Sequence, residues 1–480
     1  MAEARNKGRL RRAVYAVGGF VGVMIALGLG LFALMRYEFG RTPPPADYPQ
    51  AKNIAEANRQ DLNYLRQLPS YDRSFSPAAK TAFGSYLDEV TARADALDRP
   101  ALEMAVARAA ALADNAHTNA LGVSEGRSLN ALPIRMVQFR DGMHIVMAKS
   151  AHEDLLGARV ISENGLSIDD LRSALRPYVG GPDQFLRERL PNFLQSPQAL
   201  HAAGLGPSPT EVTLELALRD GQRVTRTVTA DPQPVLGYAW ADRALSPVRP
   251  RELAQKAQWL HVLDGSAQLP AYLERTDAPY WHVFMKDIPA LYIQINTMRD
   301  GGTPPPEPYV ADLLREVERL HPRNVIVDLR FNGGGNYMLW ADFSRKLPQL
   351  LRPDGELFIV VGPNTFSAAI TTLARLKHFA GDQAVIVGEP VGERDAFWGE
   401  INRFALPNSQ IPVQYATGYH DWVNGCTSWT RCYWFNFNFM LGVAAGPLTP
   451  TLPAPLSFED YSAGVDPALR AIAAHVNLQR

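Results

Sequence analysis

Cysteine is nearly absent from this chain of 480 residues: Cys426 and Cys432 are the whole supply. No third or fourth ligand accompanies them at zinc spacing, so a structural metal site is not expected. An excess of one charge is also missing. The 48 basic and 49 acidic side chains leave a formal net charge of -1. No domain-wide basic surface exists to neutralise phosphates, and this argues against nucleic acid as a partner. Internal repeats are lacking. The glycine pattern of a dinucleotide site is lacking too: Gly333-Gly334-Gly335 has Met338 where the last glycine of a G-x-G-x-x-G should stand. No cofactor is expected.

The hydrophobic fraction of 46% and charged fraction of 20% suit a chain that buries real cores, and the length points to two or three domains. The most conspicuous local feature is Ala13 to Met35, an uncharged and mostly apolar run of roughly 23 residues, enough to cross a bilayer core as a helix. Arg5, Lys7, Arg9, Arg11 and Arg12 precede it. A basic flank predicts a cytoplasmic N-terminus with the rest of the chain outside, as in a single-pass inner-membrane protein with a periplasmic or otherwise extracytoplasmic body. The rival is a cleaved signal peptide, but Leu34-Met35-Arg36-Tyr37-Glu38-Phe39 offers no small-x-small cleavage site. In an exported body, Cys426 and Cys432, six positions apart, can form a local disulfide; two free thiols are the alternative.

The fold class expected is α/β, with an N-terminal transmembrane helix, a helical domain, a β-rich module and an α/β core. Residues 1–12 form a basic tail, 13–35 the anchor and 36–52 a spacer stiffened by Thr42-Pro43-Pro44-Pro45. Residues 53–131 read as helical, with Ser76-Pro77 and Pro100 marking helix starts. Residues 132–231 read as β-rich. Glu211 to Leu218 and Arg223 to Val228 alternate around Asp220-Gly221, a hairpin signal. Residues 232–289 are proline-rich and read as a connecting segment. From 290 to 473, strands alternate with helices, the pattern of a layered α/β core.

Two segments carry the chemistry. Val327-Asp328-Leu329-Arg330-Phe331-Asn332-Gly333-Gly334-Gly335-Asn336 runs a buried strand into three glycines, which let a backbone approach a ligand and aim its N–H groups. Gly362-Pro363-Asn364-Thr365-Phe366-Ser367-Ala368-Ala369 places a serine at the mouth of a helix, where the helix N-terminus favours negative charge. Taken alone, Ser367 reads first as a helix cap.

Together with Val387-Gly388-Glu389-Pro390-Val391-Gly392 and Asp460-Tyr461-Ser462-Ala463-Gly464-Val465-Asp466-Pro467, this pair of segments resembles the C-terminal-processing (tail-specific) serine peptidase superfamily, in its bacterial exported tricorn-core-type branch. The resemblance runs over roughly the whole chain after the spacer. It implies a PDZ-like module at 132–231, with an insertion from Asp183 to Ser208, and a ClpP/crotonase-like catalytic core with an insertion near 422–455. It also implies a peptide or protein substrate and a nucleophile at Ser367.

A serine hydroxyl needs a base. Some members use a lysine, but the matching stretch Gly392-Glu393-Arg394-Asp395-Ala396-Phe397-Trp398-Gly399 has none. Arg394 does not lose its proton in a protein, and Lys377 lies ten residues along the helix from Ser367. Tricorn-type members use a histidine, which here falls on His117 in Asp114-Asn115-Ala116-His117-Thr118, with one residue more between Asp and His than in the family. His282 and His420 are reserves. The resemblance places the acid that orients the base at Asp421, with Glu459 and Asp460 as more distant candidates. It places the oxyanion donors near Gly334 and at Ala368. The expected activity is peptide hydrolysis through an acyl-enzyme; the alternative is a catalytically inactive peptide-binding protein on the same fold. The aromatic run Tyr433 to Phe439 reads as a half-buried strand or as an exposed ledge for substrate or lipid.

Overall fold

The computed structural model describes residues 2–232, 244–247, 259–266, 268–301, 304–428, 431–433 and 442–478. The chain divides into two units, Met1–Pro45 and Ala46–Arg480. In the first, one helix runs Ala2–Phe39. Its stretch Val14–Tyr37, 24 residues, is long and apolar enough to cross a membrane, at about 1.5 Å of rise per residue.

In the second unit, helix starts are set by side chains that take the first free N–H groups. Asn53 caps Ile54–Leu65, Ser76 caps Pro77–Ala92 and Asp98 caps Arg99–Ala111. These helices bury Leu62, Leu87, Val90 and Val106 in one core that continues under an antiparallel sheet. That sheet runs in the order Ile134–Phe139, Gly142–Lys149, Arg159–Glu163, Glu211–Ala217, Arg223–Thr229. The alternation read in the sequence is visible in Val212, Leu214 and Leu216, which point into the core. The stretch from Asp183 folds into two helices, Asp183–Leu194 and Pro197–Ala202.

A six-stranded sheet forms the other core. Its order is Leu452–Pro453, Ala384–Gly388, Glu356–Val361, Asn324–Asp328, Ala290–Ile295, Tyr280–Met285, parallel throughout except for the last pair. A parallel sheet must be covered on both faces, which is why its strands read as continuous apolar runs. Alternate residues go to opposite faces. Leu291, Ile293, Val325, Val327, Leu357 and Ile359 pack with Val310, Leu313 and Leu373 of the helices Pro306–Leu320 and Ala368–Ala380. Tyr292, Ile326, Phe358 and Val360 pack with Ile472 and Val476 of the helix Pro467–Leu478. Two strands, Trp259–His261 and Tyr280–Met285, lie in the stretch read as an irregular connection. Tyr280–Met285 is an edge strand with Val283 and Phe284 exposed.

A long hairpin, Ala396–Ala405 with Pro412–Asp421, brings the two cores together. The short strand Asn119–Ala120 joins it through Asn119 opposite Gln414. This pairing draws the loop after the helix Arg99–Ala111 against the α/β core. Cys426 and Cys432 are disulfide-bonded with Cα atoms 5.9 Å apart. Of the aromatic run, only Tyr433 falls within the described residues.

Candidate active site

Ser367 sits between the strand Glu356–Val361 and the helix Ala368–Ala380, with φ 54° and ψ −120°. A non-glycine residue in this region is strained, and such strain persists only where the surroundings impose it. Here they do. Thr365 Oγ1 donates to the carbonyl of Leu329 and receives the N–H of Gly362. The Phe366 N–H donates to the carbonyl of Asn332, and the Gly392 N–H to the carbonyl of Thr365. The turn is thereby pinned to the glycine loop on one side and to Gly392, before the strand Ala396–Ala405, on the other. The Ser367 side chain makes no capping hydrogen bond to its helix. The cap reading is therefore not the one the structure displays.

The glycine loop lies directly against this turn. Gly334 has φ +98°, and a Cβ there would come 2.7 Å from Ser367 Cβ and 3.1 Å from Ala368 N. Only glycine allows that approach. The Gly334 N–H donates to Asn332 Oδ1 at 3.0 Å, so one of the two expected oxyanion donors is already engaged. The strand before the loop is tied below it by Arg330, which bonds Asp328 at 2.8 Å and Asp466 at 2.9 Å. Burial opposes the Arg330 charge, but the two carboxylates override it and hold the group well above its usual value.

His117 is 2% exposed. Its ring is stacked between Phe366, 4.2 Å away, and Phe397, 5.4 Å away. The histidine is thus packed against the residue that immediately precedes Ser367. Its backbone is held on both sides: Gln414 Nε2 donates to the His117 carbonyl, and Thr118 Oγ1 donates to Asp72 Oδ2 at 2.6 Å. Burial raises the Asp72 pKa, against hydrogen bonds from Ser74, Thr118 and the Ala416 N–H that lower it. Asp114, with φ 48°, is gripped by Arg394 through two bonds of 3.0 and 2.9 Å. The motif's aspartate therefore serves as a latch for the loop.

The carboxylate that faces the histidine is Glu393, with Oε2 3.5 Å from His117 Nδ1. Glu393 is 4% exposed and accepts the N–H groups of Ala116 and Arg394. Both ring nitrogens of His117 are buried without a hydrogen-bond partner among the described residues. Most buried polar side-chain atoms are paired, so the two ring nitrogens of His117 are an exception.

Asp421 lies elsewhere in the arrangement. It ends the strand Pro412–Asp421, its carboxylate takes the backbone and side-chain N–H groups of Asn424, and its carbonyl takes Cys426 N–H. Asp460 is paired with Arg470 at 2.7 and 3.1 Å. The glycine loop at Gly334 thus lies against Ser367 and Ala368, His117 packs on Phe366 beside them, and Glu393, not anticipated from the sequence, faces His117. The signal for it was the loss of lysine in a loop that gains a carboxylate. His282 is bonded to Tyr309 and Glu316 on the edge strand. His420 is bonded to Glu400 at 3.1 Å. Lys377 donates to the Pro447 carbonyl.

No family model matches the chain, and no curated protein sequence matches it. Solved structures do. Mature CPAF complexed with lactacystin matches with a TM-score of 0.53 at 13% identity, over 88% of this chain and 98% of that one. Mature CPAF alone gives 0.53 at 14%, over 88% and 96%. A serine-to-alanine mutant of CPAF gives 0.55 at 12%, over 88% and 96%. At these identities the likeness is one of fold.

Proposed function

We propose that the chain is a membrane-anchored serine peptidase of the C-terminal-processing type, with Ser367 as nucleophile, His117 as base and Glu393 as the acid that orients it. The observation that carries this reading is the strained, uncapped Ser367 turn stacked through Phe366 onto a histidine that faces a buried carboxylate. The likeness in fold to CPAF adds to it.

In this scheme Ser367 Oγ attacks a peptide carbonyl as His117 takes its proton. Because Nδ1 faces Glu393, Nε2 is the nitrogen that exchanges the proton. The Ala368 N–H opens the helix and supplies one oxyanion donor. The second comes from the glycine loop, where the Gly334 N–H must turn from Asn332 as charge develops. His117 then protonates the departing amine, and water attacks the acyl-enzyme by the reverse path. Asp421, the acid suggested by the family pattern, is replaced in this role by Glu393. The antiparallel sheet at 134–229 is proposed as the PDZ-like module and the six-stranded sheet as the ClpP/crotonase-like core. The helix Val14–Tyr37 is proposed as an anchor with its N-terminus cytoplasmic and the body in the periplasm or its equivalent.

A catalytically inactive peptide-binding protein is the second reading, favoured by the burial of His117 and the engaged Gly334 N–H. Hydrolysis of unstructured peptides by the detergent-solubilised chain separates the two. Turnover that vanishes in Ser367→Ala supports the peptidase; turnover equal in both proteins, or absent from both, overturns it.

A further inference from the structure

We propose that Tyr337, Glu400 and His420 form a positioning cluster that holds the glycine loop in register with Ser367 and with the His117 ring. The inference rests on the serine-peptidase reading above and adds to it three residues outside the Ser367–His117–Glu393 set.

The glycine loop is held through its backbone and by the residues that flank it. Three successive glycines offer no side chains to pack. On its leading side Asn332 anchors it, with Nδ2 donating to the Ile295 carbonyl at 2.9 Å. On its trailing side the Asn336 N–H donates to the Met298 carbonyl. The next residue is Tyr337, whose hydroxyl donates to Glu400 Oε1 at 3.0 Å. That bond ties the loop to the long hairpin, on which Glu400 and His420 lie on opposite strands.

Glu400 is built for this task at a local cost. It has φ 53°, a left-handed backbone in the middle of a strand. Its carbonyl accepts Thr417 Oγ1 at 2.9 Å. The facing strand makes room with Gly418, where a Cβ would come 2.5 Å from Glu400 Cγ. A strained non-glycine residue kept in place by a purpose-fitted glycine is the kind of feature that gathers at functional sites. The same Oε1 atom lies 3.1 Å from His420 Nε2, so one carboxylate oxygen joins the loop tyrosine to the histidine.

His420 then carries the constraint to the base. Its ring stacks on Phe397 at 5.0 Å and 7°, and Phe397 stacks on His117 at 5.4 Å and 8°. Phe366 closes the other face of His117. One ring column therefore runs from Phe366 through His117 and Phe397 to His420, and the Glu400 bond fixes its far end. His420 reaches His117 only through Phe397, and its Nε2 is engaged by Glu400. Tyr337, Glu400 and His420 act through the loop and the ring column, so they are positioning residues.

The test uses the full chain in detergent and a fluorophosphonate probe. In the reaction Ser367 Oγ forms a bond to phosphorus, fluoride leaves, and the hydroxyl proton passes to the base, so the rate reports both base and oxyanion hole. Tyr337→Phe should lower the maximal labelling rate about tenfold while leaving the probe's half-saturating concentration within about twofold, since a misplaced but intact site loses rate rather than binding. Glu400→Gln keeps an acceptor oxygen and should label close to the parental rate. Glu400→Ala, which also releases His420, should lose at least as much as Tyr337→Phe, and the double variant should lose no more than Glu400→Ala alone. Tyr309→Phe, which removes a tyrosine hydroxyl bonded to His282 of the edge strand, should label as the parent does. Equal thermal unfolding of Tyr337→Phe and the parent excludes misfolding as the cause. Labelling of Tyr337→Phe at the parental rate, or additive losses in the double variant, would overturn the inference alone. A parent that never labels would overturn the peptidase reading and this inference with it.

Discussion

Replacing Glu393 by glutamine removes one charge and little volume, and it probes the least expected member of the site. The carboxylate lies 3.5 Å from His117 Nδ1, and both side chains are almost wholly buried. At an effective dielectric constant near 20, a unit charge pair at that separation interacts by about 5 kcal/mol. The interaction is realised only when the imidazole becomes charged, which in the proposed scheme is the transition state. Part of it is offset because glutamine retains a dipole and one acceptor. A loss of about 2–4 kcal/mol corresponds to roughly 30- to 1000-fold in rate. Glutamine also leaves one of the Ala116 and Arg394 N–H groups without its acceptor, at about 1 kcal/mol of stability. The assay is kcat for peptide hydrolysis with KM measured alongside. Glu393→Gln should reduce kcat within that range with little change in KM, and Asp421→Asn should cost less than about threefold. Parental kcat in Glu393→Gln together with a large loss in Asp421→Asn would refute the assignment and return the role to Asp421.

Glu163 is fully buried with neither carboxylate oxygen hydrogen-bonded among the described residues, and burial raises its pKa well above the usual value. Because the folded value exceeds the unfolded one, its proton stabilises the fold below the ordinary carboxylate range, and that contribution is lost as pH rises through the raised value. Glu163→Gln should therefore gain in Tm over the parent as pH increases from about 4.5 to 8; a constant difference would contradict this. A reporter that is active only outside the cytoplasm, fused after Arg480, should be active, and a cytoplasmic, protease-protected C-terminus would reverse the proposed orientation. Alkylation of the exported protein without reduction should add no mass at Cys426 or Cys432; two added groups would show free thiols.

The parts legible in the sequence are those set by local pattern. The strand–turn–helix around Ser367 follows from Leu357 to Val361, a turn and an apolar helix, and helices start at Ser76-Pro77 and beside Pro100 as the sequence marked them. The hairpin at Glu211–Thr229 was legible from alternation alone. Glu393 was not, because its partner's loop lies 277 residues away and only the tertiary fold joins Ala116 to it. Asp421 attracted the assignment through its place after a strand, whereas its carboxylate closes a turn with Asn424. The strand Tyr280–Met285 escaped notice because the prolines from Pro232 to Pro289 marked the whole stretch as irregular, although Trp281, Val283 and Phe284 suit a strand.

The central claim is that Ser367 is an activated nucleophile, and fluorophosphonate labelling with the modified peptide identified by mass spectrometry tests it most directly. The account predicts one probe per chain, on Ser367, and no labelling in Ser367→Ala. That variant should unfold at the parental temperature within a loss of less than about 1 kcal/mol, since the side chain makes no cap bond to forfeit. An unlabelled parent, or a label that persists in Ser367→Ala, would contradict it.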